Sequence, residues 1–181
     1  LSSIQRRLGK EYGVEPGSEM LAACDEAKKK NLEVALVDRD ITVTLKRAWR
    51  KMGIREKFRV GWEFLKGMVG YDEEDLDELD LQELMKQDVI TAMMQEFGEF
   101  APSAADVLIH ERDIYIAKKI LDASTKGRVV AVVGAGHLNG IKDHLEHKEK
   151  LPTDLSPLDQ VPKKRINWTM AVAVAIRTIF F

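Results

Sequence analysis

Apolar residues recur along this chain in two rhythms. Over residues 42–52 and 56–69 they return every three or four positions, with Phe58, Trp62, Leu65 and Val69 carrying the second stripe, and that period predicts amphipathic helices packed on one side. Two shorter stretches are runs of β-formers instead: Leu32-Glu33-Val34-Ala35-Leu36-Val37, which ends at Asp38-Arg39-Asp40, and Arg128-Val129-Val130-Ala131-Val132-Val133, which runs into Gly134-Ala135-Gly136-His137. The second run is apolar at every position from Val129 to Val133, so it predicts a strand covered on both faces, an interior strand of a parallel sheet. Further helices are expected over 19–30 after Ser18, from the capping-box pattern Asp80-Leu81-Gln82-Glu83 onward through Leu84, Met85, Met93, Met94 and Phe97, from Ser103 to about 123, and over 139–147.

Strands alternating with helices point to an α/β fold, with helices packed on a mainly parallel or mixed sheet. Only two strong strands are visible, and a two-stranded sheet would be unusual. The N-terminal part of the fold is therefore expected to be missing, in line with a first residue that is not methionine. The expected organisation is an α/β domain over 1–150, a proline-containing linker over 151–165, and an apolar tail over 166–181. The tail reads either as a core helix or as the start of a membrane segment, since it is shorter than the roughly 20 residues of a span and contains Arg177.

Composition narrows the function classes. The chain has 181 residues, 45% hydrophobic and 32% charged, with a formal net charge of -2 from 28 basic and 30 acidic residues, which is ordinary for one globular domain. The two signs are mixed, which argues against a nucleic-acid binder. The single cysteine, Cys24, excludes an intrachain disulfide and a cysteine-based zinc cluster. A cytoplasmic domain is expected, with membrane anchoring of a longer protein left open. A homo-oligomer is also left open.

Candidate chemistry gathers at three places. His137 stands at the end of the predicted strand, where open parallel sheets bind ligands, and Gly134 and Gly136 would let another group approach the backbone. The alternative is a turn whose histidine merely packs. Counting about 100° per residue puts Arg112 in the middle of the apolar arc formed by Leu108, Ile109 and Ile116, either paired with Asp38 or Glu111 inside a site or extending its head to solvent. Asp38 and Arg39 lie at the end of the first run. The Gly134-x-Gly136 turn does not complete a dinucleotide fingerprint, because Asn139 stands where glycine or alanine is needed. His144 and His147 sit among lysines and glutamates, as on a solvated helix.

Three blocks taken in order resemble the TraB family, which includes the PrgY-like pheromone-shutdown proteins: Leu36-Val37-Asp38-Arg39-Asp40-Ile41 with Thr44-Leu45-Lys46-Arg47-Ala48-Trp49, then Glu111-Arg112-Asp113-x-Tyr115-x-Ala117, then Val130 to His137. The resemblance implies metal-dependent peptidase activity, as in the wider group that includes the Tiki proteins, resting on two Gly-x-x-His motifs with acidic or arginine residues between them. It implies His137 as a metal ligand within Gly134-Ala135-Gly136-His137, and Glu111 with Arg112 as the catalytic pair. No first Gly-x-x-His motif is present. The expected cofactor is therefore a divalent transition metal held by the complete protein and not by these residues alone. The expected partner is a peptide or small signal, with a membrane contact through the C-terminal region left open. The competing reading is a non-catalytic protein that binds a peptide or signal at the membrane surface.

Overall fold

The computed structural model describes residues 17–69 and 87–162. In chain order its helices are α1 (Ser18–Lys29), α2 (Ile41–Lys51), α3 (Ile54–Val69), α4 (Gln87–Phe100), α5 (Pro102–Ala105), α6 (Glu111–Ser124), α7 (Leu138–Glu146) and α8 (Ser156–Asp159). A π-helical turn, Asp106–His110, joins α5 to α6, and 3-10 turns cover Ala135–His137 and Lys148–Lys150. The acidic segment over 72–83, Leu84 and Met85, and the apolar tail over 166–181 lie outside the described residues.

The regular structure of the described residues is all helical, without a strand or sheet, and this corrects the α/β expectation. Both β-forming runs lack regular secondary structure, and neither joins a ladder. A strand needs partners for its backbone N–H and C=O groups, and high β-propensity does not supply them. The expected interior strand accordingly leaves Val130 88% exposed, and Leu36 of the first run is 87% exposed. Only the last residue of each run, Val37 and Val133, packs against a core.

The chain divides into two compact units. The first gathers the described residues up to Asp38 with Asp113–Leu151. Its core is Ile116, Ala117 and Ile120 of α6, Ile141 of α7 and Leu151. The three α6 residues recur at the helical period, so one stripe supplies most of this core.

The second unit holds Arg39–Arg112 and the described residues from Pro152. Here Met52, Ala101 and Ala104 are buried among Val60, Phe97, Phe100 and Leu108. The α2 start follows from sequence: the Asp40 carboxylate accepts N–H bonds from Thr42 at 2.6 Å and Val43 at 3.3 Å, an N-cap, with Arg50 and Lys51 favouring the other helix end. The α5 start does not use Ser103, where the helix was expected to open, as its cap. Pro102 occupies the first turn, and Glu56 of α3 reaches across to accept the N–H groups of Ser103 at 2.9 Å and Ala104 at 3.2 Å.

The π turn changes which residues α6 buries. It adds a residue to the helical count, turning everything after it by about one position relative to an α-helix. Asp113, 3% exposed, takes the inward place that an uninterrupted count gives Arg112, which is half-buried.

Candidate functional site

Two polar clusters are built into these helices, one in each unit. In the second unit, α2 presents Thr44, Arg47 and Lys51, at spacings of three and four, on one face. Arg47 grips the Glu111 carboxylate with two parallel bonds, Nε to Oε2 and Nη2 to Oε1, both 2.8 Å. Arg39 adds Nη1 to Oε2 at 3.0 Å, and Lys51 approaches Oε1 at 3.4 Å while also pairing with Asp106. Both guanidinium groups make further hydrogen bonds within the second unit. Arg39 donates to Thr44 Oγ1 at 3.0 Å, the Leu158 carbonyl at 2.9 Å and the Val107 carbonyl at 3.3 Å. Arg47 donates to the carbonyls of Pro157, at 2.8 Å, and Gln160.

Arg39, Arg47 and Glu111 are all buried, so their charges require this pairing. Burial alone would raise the Glu111 carboxyl. The hydrogen bonds from Arg47 and then Arg39, with the charges of Arg47 and Lys51, outweigh it and hold Glu111 below the ordinary glutamate range. Lys51 shows the same contest with opposite signs: desolvation lowers it, and Asp106, then Glu111, raise it above its ordinary value. Glu111 is thus an ionised acceptor whose oxygens are already occupied, an arrangement suited to holding the fold and poorly suited to taking a proton near neutral pH.

The first unit contains the other cluster. The 3-10 turn Ala135–His137 opens α7 and sets His137 against α6, where its Nδ1 lies 2.6 Å from Asp113 Oδ1. Both side chains are largely removed from solvent, at 14% and 4% exposure. A carboxylate bound to Nδ1 fixes the ring orientation and, for a neutral imidazole, puts the proton on Nδ1 and the lone pair on Nε2. That nitrogen can then accept a proton or bind a metal.

Gly140, one turn along α7, makes room for the pair. A Cβ there would lie 2.0 Å from Asp113 Oδ2 and 2.7 Å from its Cγ. A Cβ on Gly134 would meet only the His137 ring, at 3.8 Å, an ordinary contact. The requirement for glycine therefore rests on Gly140 rather than on Gly134.

The structure brings some of the expected site residues together. Glu111 and Arg39 form an ion pair. Glu111 and His137 belong to different units. Arg112 is half-buried and donates from Nη1 to the Leu108 carbonyl at 3.5 Å; the salt bridges of Glu111 run to Arg39, Arg47 and Lys51. Asp38 is exposed, Gly134 is exposed, and Gly136 lies within the 3-10 turn. Sequence reasoning missed Arg47, Asp113, Glu56 and Gly140 as working residues. The Thr44-x-x-Arg47 spacing on a polar stripe was a usable signal for the first.

A model of the TraB/PrgY/gumN family matches residues 1–153. The chain belongs to that family. It is 36% identical to an uncharacterized protein, MJ1365, of Methanocaldococcus jannaschii, over 99% of this chain and 46% of that protein. TraB domain-containing proteins of Mus musculus and Homo sapiens are 27% and 26% identical, each over 100% of this chain and 50% of the relative. The chain thus spans about half the length of the curated relatives it matches. No solved structure matches it.

Among the described residues of this TraB-family domain, no group of three His, Cys, Asp or Glu side chains could hold a metal ion. His137 with Asp113 fits one ligand and its supporting carboxylate, not a complete coordination set. No described helix is long and apolar enough to cross a membrane.

Proposed function

We propose that this TraB-family domain contributes to a hydrolase acting on peptides, with His137 as its chemically active residue. The observation that carries the reading is the 2.6 Å Asp113–His137 pair. Asp113 orients the imidazole, and Nε2 takes a proton from a nucleophilic water or binds a divalent transition metal whose other ligands come from outside the described residues. Because the described residues do not complete a metal site, no step is assigned to the metal. Glu111, with Arg39 and Arg47, holds the scaffold of the second unit.

A second reading has its own observation. With Glu111 fully engaged by cations and fewer than three potential metal ligands grouped among the described residues, the domain could bind a peptide or signal without cleaving it.

Mass-spectrometric screening of a peptide library against the full-length protein, with and without added zinc, manganese or cobalt, separates the two. Cleavage that falls at least about a hundredfold in His137→Ala and about ten- to a hundredfold in Asp113→Asn supports the hydrolase. Saturable peptide binding with no cleavage under any metal supports the binding protein and rejects the hydrolase.

A further inference from the structure

The amphipathic stripe of α3 faces away from its own core. Counted at about 100° per residue, Ile54, Phe58, Trp62 and Leu65 fall within an arc of about 80°, and they are 74%, 76%, 62% and 58% exposed. Val60, which packs against the second unit's core, and Glu56, which caps α5, lie roughly opposite. The helix is therefore anchored by its poorer apolar side. Trp49 of α2, also exposed, extends the patch through its contact with Lys57, whose ammonium sits 5.2 Å from the indole centre.

Cations border this stripe on both sides. Arg55, Arg59 and Lys66 follow one edge and Lys57 the other. The acids of α3 offer little to oppose them: Glu56 is buried and bonded to backbone N–H groups, and Glu63 pairs with Lys66 at 2.8 Å. Such a surface, with aromatic residues in the middle and basic ones along its margins, matches an anionic bilayer, where rings enter the headgroup boundary and cations meet lipid phosphates and carboxylates. A second copy of the same face is less suitable, because antiparallel self-pairing would set these basic margins against one another.

We propose that α3 is a membrane-surface helix that lays Ile54, Phe58, Trp62 and Leu65 into the interface of an anionic bilayer. It would seat the domain on the membrane without crossing it. The proposal is independent of whether the domain cleaves peptides.

The test is sedimentation of the full chain with vesicles of equal parts phosphatidylcholine and phosphatidylserine, and with vesicles of phosphatidylcholine alone. Binding to the anionic vesicles is expected to weaken as salt rises. It should fall at least about tenfold in Phe58→Glu or Trp62→Glu, and about fivefold for each cation reversed at Arg55 or Lys57. Circular dichroism should stay unchanged, because these side chains stand outside the core. Equal binding to the two vesicle types, or anionic binding that survives both the aromatic and the charge changes, overturns the proposal. A concentration-dependent dimer abolished by Phe58→Glu, with no vesicle binding, assigns the face to self-association and also overturns it. The contrast between vesicle types and the salt dependence need no variant at all.

Discussion

The two buried carboxylates at the start of α6, Glu111 and Asp113, stand two residues apart and are used in opposite ways. Glu111 accepts from Arg39, Arg47 and Lys51, so its charge is spent holding α2, the π turn and the 156–160 region together. Asp113 binds a single imidazole nitrogen at 2.6 Å, and that bond leaves the ring with a second nitrogen aimed elsewhere. A carboxylate surrounded by cations is a structural anchor; one that orients a histidine prepares chemistry. The difference comes from neighbours rather than from the acids themselves, as expected when the environment sets what an ionisable group can do.

Variants can break this contrast. The largest effect is expected from Glu111→Gln, which leaves two buried guanidinium groups without their carboxylate and should cost about 3–5 kcal/mol in urea unfolding. A loss below about 1 kcal/mol would show that the cluster is not an anchor. By contrast, Asp113→Asn removes an orienting contact and should reduce metal affinity or turnover of the full-length protein about ten- to a hundredfold with a smaller change in stability. Glu111→Gln sharpens the comparison if its activity falls only in step with the folded fraction.

Gly140→Ala comes next. Its added methyl would meet Asp113 Oδ2 at 2.0 Å, so about 1–3 kcal/mol of stability should be lost to overpacking, together with the His137 contact. Gly134→Ala should be nearly silent in both assays, since only the ring edge lies near it, at 3.8 Å. Equal effects of the two would contradict the assignment of Gly140 as the glycine the site needs.

The pH dependence gives a smaller but diagnostic signal. Glu111 is held below its ordinary value of 4.5 because the arginine bonds outweigh burial. Its contribution is therefore fully present above the unfolded-state value and is lost as pH falls through the lowered folded-state value. Urea midpoints measured downward from about pH 7 should begin to drop near pH 4.5, and Glu111→Gln should flatten that acid limb. An unchanged acid limb would show that Glu111 does not carry it. The smallest expected effect is Glu56→Ala, a lost cap worth about 0.5–2 kcal/mol, read from the same unfolding curves.

Much of the helical skeleton was legible because local period and capping carry it. The expected helix over 42–52 appears as Ile41–Lys51, begun by Asp40, and the one over 56–69 as Ile54–Val69. His137 was legible as a residue of interest at the end of an apolar run, although the run itself is irregular chain rather than an interior strand. Long-range partners were not legible. Nothing near Ser103 says that Glu56 will cap its helix, and no local pattern gives Glu111 its bonds to Arg39 and Arg47, 72 and 64 residues away. Arg112 was misplaced because a constant helical count cannot foresee the π turn at Asp106–His110. The 156–160 segment read as linker, yet its carbonyls accept hydrogen bonds from both arginines.

The central claim, that Asp113 rather than Glu111 prepares the reactive group, is tested most directly by long-range proton–nitrogen correlation NMR of the His137 imidazole at mildly alkaline pH. The account predicts that the neutral form of the ring carries its proton on Nδ1 in the unmodified chain and in whatever fraction of Glu111→Gln remains folded, with that tautomer preference lost in Asp113→Asn. A spectrum unaltered by Asp113→Asn would contradict it.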